Sequence, residues 1–416
     1  MRPRRFSFRP AERKISVMVF NFTDLIDREG RDAVAVEVIP IPGAEVDEGV
    51  DRIPMWVADM NFATAPSVQK ALAERIAHPC FGYFSPSDAW YDSIIRWHAV
   101  RHGVTGLSRE HIGYENGVLG GVVSSLNTFC AKGDKVLLHS PTYVGFTGIL
   151  KNNGYEAVHS PLKQDSGGVW RMDLEDMEEK LCAGDIRAAI LCSPHNPAGR
   201  VWERRELEAA MALFEKYRVW VVSDEIWSDL IMPGHVHVPT QLVSDYARTH
   251  TVALYAVTKT FNLAGLVGAY HIIYDPVLRS RIRKEQSLSH YNGMNVLSMH
   301  ALIGAYSDEG MAWTDELISV LDGNLRFACG FIAENFPGVR CTLPEGTYML
   351  FLDCSGWCRD HGISLDDVLK AGVRAGVIWQ DGRAFFGPCH IRMNLALPRS
   401  RVEEAFLRLK KSVFVS

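Results

Sequence analysis

No stretch of this 416-residue chain approaches the roughly 18 consecutive apolar residues of a membrane-spanning helix, so membrane is not an expected partner. No C-x-x-C pair occurs among the nine cysteines. Their number is odd and several sit in apolar runs, Cys192 after Ala188–Leu191 among them. They read as reduced, buried thiols of a cytoplasmic protein rather than as a disulfide framework or a zinc site. Neither G-x-G-x-x-G nor G-x-x-x-x-G-K-[ST] is present, which leaves the nucleotide-binding readings without support. A basic excess is also missing: Lys+Arg 44 against Asp+Glu 49 gives a net charge of −5. Nucleic acid is therefore not an expected partner. Internal repeats and low-complexity segments are absent. What remains, 47% hydrophobic and 22% charged residues, is ordinary for a globular protein with a large core in two or three domains.

Six basic residues crowd the first fourteen positions with no apolar stretch behind them, so residues 1–20 read as a short disordered basic extension. From about Phe81 to Ile273, short apolar runs alternate with longer amphipathic stretches. The runs are Lys135–His139, Ala188–Cys192, Val219–Ser223, Val252–Ala256 and Ala269–Ile273. Each is almost continuously apolar, as strands buried on both faces of a mainly parallel sheet are. Between them lie helical patterns such as Glu203–Tyr217, with Leu207, Met211 and Phe214 on one face. After about Gly310 a long helical pattern (Trp313–Phe336) is followed by strand-like Thr347–Leu352, amphipathic Leu365–Ala375, strand-like Ile391–Leu395 and a last helix, Arg401–Val413. The expected fold class is α/β: residues 76–310 form a large domain, and residues 311–416 a smaller α+β domain joined by 21–75.

Ligands of open parallel sheets bind beyond the carboxyl ends of the strands. Four runs end in chemistry there. Ala188–Cys192 leads to Ser193-Pro194-His195-Asn196-Pro197-Ala198-Gly199, on its own a Pro/Gly turn. Val219–Ser223 leads to Asp224-Glu225-Ile226, on its own a helix cap. Val252–Ala256 leads to Val257-Thr258-Lys259-Thr260, on its own a solvated loop charge. Lys135–His139 leads to Ser140-Pro141-Thr142-Tyr143. Together they supply an amine, a carboxylate, an amide and an aromatic ring at one edge, the set that pyridoxal 5'-phosphate requires. A lysine joins the cofactor aldehyde, and a carboxylate keeps the pyridine nitrogen protonated, maintaining the electron sink. Tyr114–Gly121 opens a helix-competent stretch, where glycines let backbone N–H groups approach a phosphate.

These motifs, with Ile391-Arg392-Met393-Asn394, closely resemble the fold-type I pyridoxal-phosphate enzymes of aminotransferase class I/II, over nearly the whole chain from about Asn21. Within that superfamily the sequence is similar to the MalY/PatB-like cystathionine β-lyase (C–S lyase) branch. The pointers are Trp56-Val57-Ala58-Asp59-Met60 with Phe62 and Ala63–Pro66, Phe81-Gly82-Tyr83, Leu191–Pro194, and Lys259–Gly265. The resemblance implies an aspartate aminotransferase-like fold and a role for each matching residue. Lys259 would carry the cofactor and act as base. Asp224 would pair with the ring nitrogen and Asn196 with the phenolic oxygen, while Tyr143 stacks on the ring. Gly117, Val118, Leu119 and Thr258 would hold the phosphate. Tyr83 would reach the phosphate of a neighbouring subunit's site, which implies a homodimer with active sites shared across the interface. Arg392 would clamp the carboxylate of a small amino-acid substrate. No metal is expected; His235-Val236-His237 has no third ligand nearby.

Four positions depart from the pattern. Val267 stands where many aminotransferases place a phosphate-binding arginine, and Ala256 where they often place a serine; both lean toward the lyase branch. Trp227 replaces a usual Tyr or His; its indole N–H can only donate, so it could bond the phenolic oxygen but not relay a proton, or its ring could instead narrow the pocket. Asn61 stands where the lyases often carry Asp. The function expected from the resemblance is β-elimination from L-cystathionine, cysteine or a related S-conjugate. The rivals are an aminotransferase or racemase using the same lysine, and a cofactor-bound regulator, for which no DNA-binding module or heptad run is present.

Overall fold

The computed structural model describes residues 19–289 and 292–415. The expected basic extension lies outside the described residues up to position 18. Its last two members, Val19 and Phe20, donate backbone N–H groups to the Glu316 carboxylate at 3.0 Å.

Seven strands form the large sheet: β1 (Ile112–Glu115), β2 (Lys135–Ser140), β3 (Glu156–Pro161), β4 (Ile186–Cys192), β5 (Trp220–Asp224), β6 (Thr251–Tyr255) and β7 (Ala269–Ile272). Their order across the sheet is β1-β7-β6-β5-β4-β2-β3. The five strands from β6 to β3 are parallel. β7 runs antiparallel to both β6 and β1. Two reversals restore direction, so the end of β1 at Glu115 reaches the same edge as the ends of β2, β4, β5 and β6. That topology brings the Gly117 turn to the Lys259 turn.

Alternate residues of these strands enter different cores, as the two-residue period of a strand requires. Val136, Leu138, Ala188, Ile190, Val222 and Val252 pack with the helix Val118–Phe129 on one face. Leu137, Ala189, Leu191 and Val221 pack with the helix Arg204–Tyr217 on the other. Burial on both faces leaves no regular polar alternation, which is why these runs are almost continuously apolar.

A second sheet, all antiparallel, has the order β8-β9-β11-β10, where β8 is Arg340–Cys341, β9 Met349–Asp353, β10 Gln380–Asp381 and β11 His390–Asn394. Helices Asp308–Asn335, Leu365–Arg374 and Arg399–Ser412 accompany it. The first starts earlier than its apolar pattern, because Ser307 accepts from the Gly310 N–H and caps it. The N-terminal segment joins this unit through Ile53–Pro54, paired in parallel with Val377–Ile378. No helix of the described residues is long and apolar enough to cross a membrane.

Three buried histidines carry a stability consequence. Burial depresses His98 to about 3, with the neighbouring His102 adding to the effect. Burial likewise takes His139 to about 4 and His195 to about 3. Both ring nitrogens of His139, and Nδ1 of His98 and His195, have no hydrogen-bond partner among the described residues. In the unfolded chain each titrates near 6.5, so below that pH the unfolded state binds more protons and stability falls as the solution is acidified. Each histidine contributes up to about 1.4 kcal/mol per pH unit. The urea-denaturation midpoint is expected to drop steadily between about pH 6.5 and 5; an unchanged midpoint across that window would count against neutral histidines in the fold.

Candidate active site

At the shared strand edge lies a cavity of about 320 Å³. Its walls bring together Gly117, Val118, Leu119, Tyr143, Asn196, Asp224, Trp227, Thr258 and Lys259, nine of the eleven residues singled out in the sequence.

One end is a helix N-terminus. Gly117 occupies the N-cap of Val118–Phe129 with φ +81°, a conformation that a side chain disfavours. No side chain caps this helix, so its first N–H groups are left for another acceptor and favour an anion. Asn292 steadies the turn: its Oδ1 accepts from Asn116 N at 2.7 Å and its Nδ2 donates to Tyr114 O at 2.6 Å.

At the other end Asp224, 4% exposed, closes β5. Burial raises its carboxyl to about 7; the Ile226 N–H, at 3.1 Å from Oδ1, and the Lys259 charge oppose this. A buried carboxylate with one backbone donor is short of positive charge, the environment a protonated pyridine nitrogen would complete. Next to it, Glu225 faces away and accepts from His237, Tyr255, Ser223 and Thr240. The His235-Val236-His237 segment is thus tied to a structural carboxylate, and no cluster of metal-binding side chains exists among the described residues.

Lys259 stands between the two ends. Its Nζ donates to Ala58 O at 2.8 Å. Burial lowers the amine to about 8 and Arg392 adds to this, while Asp59 and Asp224 act in the opposite sense. The turn that carries it is fixed from behind by Thr260, whose hydroxyl donates to the buried Asp229 at 3.2 Å. Asn262 ends the turn at φ +56°, a region that Asn tolerates better than most residues.

Arg392 on β11 is 3% exposed, and burial lowers its guanidinium to about 10. Nη1 donates to Asn196 Oδ1 at 3.2 Å and Nη2 to Trp56 O at 3.0 Å, with Gln380 also accepting; Nε has no partner among the described residues. The arginine thus meets the cavity through Asn196 rather than lining it. Tyr143 presents its ring beside Gly145, where a Cβ would lie 2.4 Å from the ring. The buried Trp227 is wedged edge-on against Tyr348, its ring 5.8 Å from Lys259 Nζ.

Tyr83 is not in the cavity. It is fully exposed and lines a separate groove with Phe81, Phe84, Tyr114 and Asn292. Val267 and Ala256 do line the cavity, so Lys259 is the sole Lys or Arg among the described residues on its wall. Val267 adopts φ +54°, ψ −179°, a strained conformation for a β-branched residue.

One element escaped the sequence reading as a structural part. The segment Trp56–Asn61 forms a strap over the Lys259 turn. Asn394 Nδ2 donates to Val57 O and Asp59 O. Asn262 accepts from Met60 N at 2.9 Å and donates to Met60 O and Phe62 O. Both asparagines lie in recognised motifs; their partners, some 200 and 337 residues away in the chain, leave no local signal.

The donor set fits pyridoxal phosphate: an anion-binding helix end, an amine, and a buried carboxylate in need of a cation. Comparison with known proteins agrees. A profile of the aminotransferase class I and II family matches residues 52–409. Cystathionine β-lyase PatB of Bacillus subtilis is 32% identical over 87% of this chain and 93% of its own length. Protein MalY of Escherichia coli is 29% identical over 95% of this chain and 99% of its own. A solved pyridoxal-phosphate-bound C–S lyase from Staphylococcus hominis superposes with a TM-score of 0.84 at 30% identity, covering 95% of this chain and 99% of that one. With that fold and those relatives, the chain belongs to the aminotransferase class I and II family, in the branch that holds cystathionine β-lyase PatB.

Proposed function

We propose that this protein is a pyridoxal-phosphate-dependent C–S β-lyase that cleaves L-cystathionine, cysteine or a related S-conjugate to a thiol, pyruvate and ammonia. The observation that carries the reading is the Lys259 amine, lowered to about 8 by burial, between an uncapped helix N-terminus and Asp224. Relatives named cystathionine β-lyase and C–S lyase, matched over most of their length, support this reaction class.

When bound, the cofactor supplies an electron sink for the substrate α-carbon. The chain's residues do the rest. Gly117, Val118, Leu119 and Thr258 would receive the phosphate. Asp224 would hold the proton on the ring nitrogen, and Asn196 would donate to the phenolic oxygen through an amide that has no protein acceptor among the described residues. Arg392 would bind the substrate carboxylate, its direction fixed by Asn196, Gln380 and the Trp56 carbonyl. With its amine near neutral pH, Lys259 is matched to taking the α-proton. Trp227 would narrow the pocket. The exposed Phe81-Gly82-Tyr83-Phe84 face supports a homodimer in which Tyr83 serves the partner's site. The nine unpaired thiols fit a cytoplasmic setting.

Incubating the purified protein with cystathionine should release pyruvate with no 2-oxo acid added. Product that appears only on adding an oxo acid would identify an aminotransferase instead. Lys259→Ala should form no borohydride-reducible covalent link to added cofactor and lose at least the 10²–10⁴-fold that a general base contributes. A second expectation follows from the cavity wall: without an arginine at Val267 or a serine at Ala256, the phosphate would be left, within one chain, to backbone N–H groups and the Thr258 hydroxyl. Prolonged dialysis should therefore bleach the protein, and Val267→Arg should slow the loss. Full colour retained by the unaltered protein would refute this.

A further inference from the structure

We infer that Arg28 is a positioning residue of this site, holding through Asp59 the strap carbonyl on which the Lys259 amine rests. The inference rests on the reading of Lys259 given above. The strap presents two carbonyls inward: Ala58 O accepts from Lys259 and Trp56 O from Arg392. Its inner side is pinned by neutral amides, Asn262 and Asn394. Its outer side is gripped by Arg28, which donates to both oxygens of Asp59, at 3.2 and 2.5 Å, and to Met60 O and Asn61 Oδ1 at 3.3 Å each. A two-pronged guanidinium–carboxylate pair fixes orientation as well as distance. With side-chain exposures of 19% and 18%, the pair is sheltered from much of the screening that makes surface ion pairs weak.

Charge points the same way. Lys259 feels two carboxylates, Asp59 and Asp224, and one cation, Arg392, itself flanked by Tyr143 and Tyr348. Arg28 balances Asp59. Asn61 keeps that balance, because Asp at 61 would set two carboxylates against one guanidinium. The amide is the poorer hydrogen-bonding choice: its Nδ2 is buried without a partner among the described residues. What it secures is a neutral clip.

The test compares the cofactor-loaded wild type with Arg28→Ala, Arg28→Lys, Asn61→Asp and Asp59→Asn. The readouts are kcat and the pH at which the absorbance of the lysine-bound cofactor changes. Arg28→Ala and Asn61→Asp should move that transition to higher pH, by about one unit, a tenfold change in proton affinity. Asp59→Asn should move it lower. Arg28→Lys should restore the transition but not the rate, since it keeps the charge and loses the fork. Arg28→Ala should lower kcat by about tenfold or more, the scale of a displaced catalytic group. A purely structural clip would change thermal stability and leave the transition in place. An unshifted Arg28→Ala and Asn61→Asp, or Arg28→Ala shifting downward with Asp59→Asn, overturns the inference while a coloured wild type leaves the parent reading intact. A wild type that never colours overturns both.

Discussion

Lys259, Asp224 and Arg392 are ionisable groups around one sheltered cavity, and burial pushes each toward its neutral form before any neighbour acts. The amine sits at about 8, the carboxyl at about 7 and the guanidinium at about 10. In water these values would spread over many units; here the first two are nearly matched. Keeping two groups so shifted away from water is costly, because burial penalises the charged form of each. Each would be relieved by a ligand carrying an aldehyde for the amine and a basic ring nitrogen for the carboxyl. The rest of the architecture serves to create that shelter: parallel strands end together, and the paired reversal at β7 turns β1 back to the same edge.

Closure of the shelter is a long-range matter. The strap at 56–61 belongs to a segment that pairs with Val377–Ile378 of the smaller unit, yet its carbonyls touch Lys259 of the larger one. Asn394 reaches it from β11, Asn262 from the lysine turn and Arg28 from the N-terminal segment. Three stretches distant in sequence thus converge on six residues. Any change in how the two sheets meet is transmitted to the amine through a backbone carbonyl, a group that cannot change charge and so passes on position alone.

Much of this was legible in the chain. Lys135–His139, Ala188–Cys192, Val219–Ser223 and Val252–Ala256 fall within two residues of observed strands because double-sided burial demands nearly unbroken apolar runs. Ala269–Ile273 was legible as a strand but not as a reversed one, since an interior strand buries the same side chains in either direction. β3 escaped notice: at the sheet edge, Glu156–Pro161 is mostly half-exposed and mixes Glu, His and Ser with apolar residues. Tyr143, Asn196, Asp224, Thr258 and Lys259 could be found because a strand end marks each of them, and the Gly117 turn because its glycines open a helix; Ala58, on the strap, carries neither mark. Asn292, Asn394 and Arg28 act on the site through partners remote in sequence, and residue spacing carries no trace of such pairs.

The cavity is unequal at its two ends, and the inequality bears on how the protein works. Around Asp224 everything is buried and tied down, with Glu225 and Asp229 locked into hydrogen-bonded networks behind the turn. Around Gly117 the wall is backbone, a hydroxyl and Val267, which is 47% exposed and strained. An arginine there would add charge; a helix terminus supplies only about half a charge, and salt screens it. On our reading, the phosphate end then depends on what covers it from outside, and the fully exposed Tyr83 face is suited to that task in a second copy of the chain. Cofactor affinity and subunit association would thereby become one equilibrium: a ligand that prefers the paired state strengthens the pair, and the pair strengthens the ligand's hold.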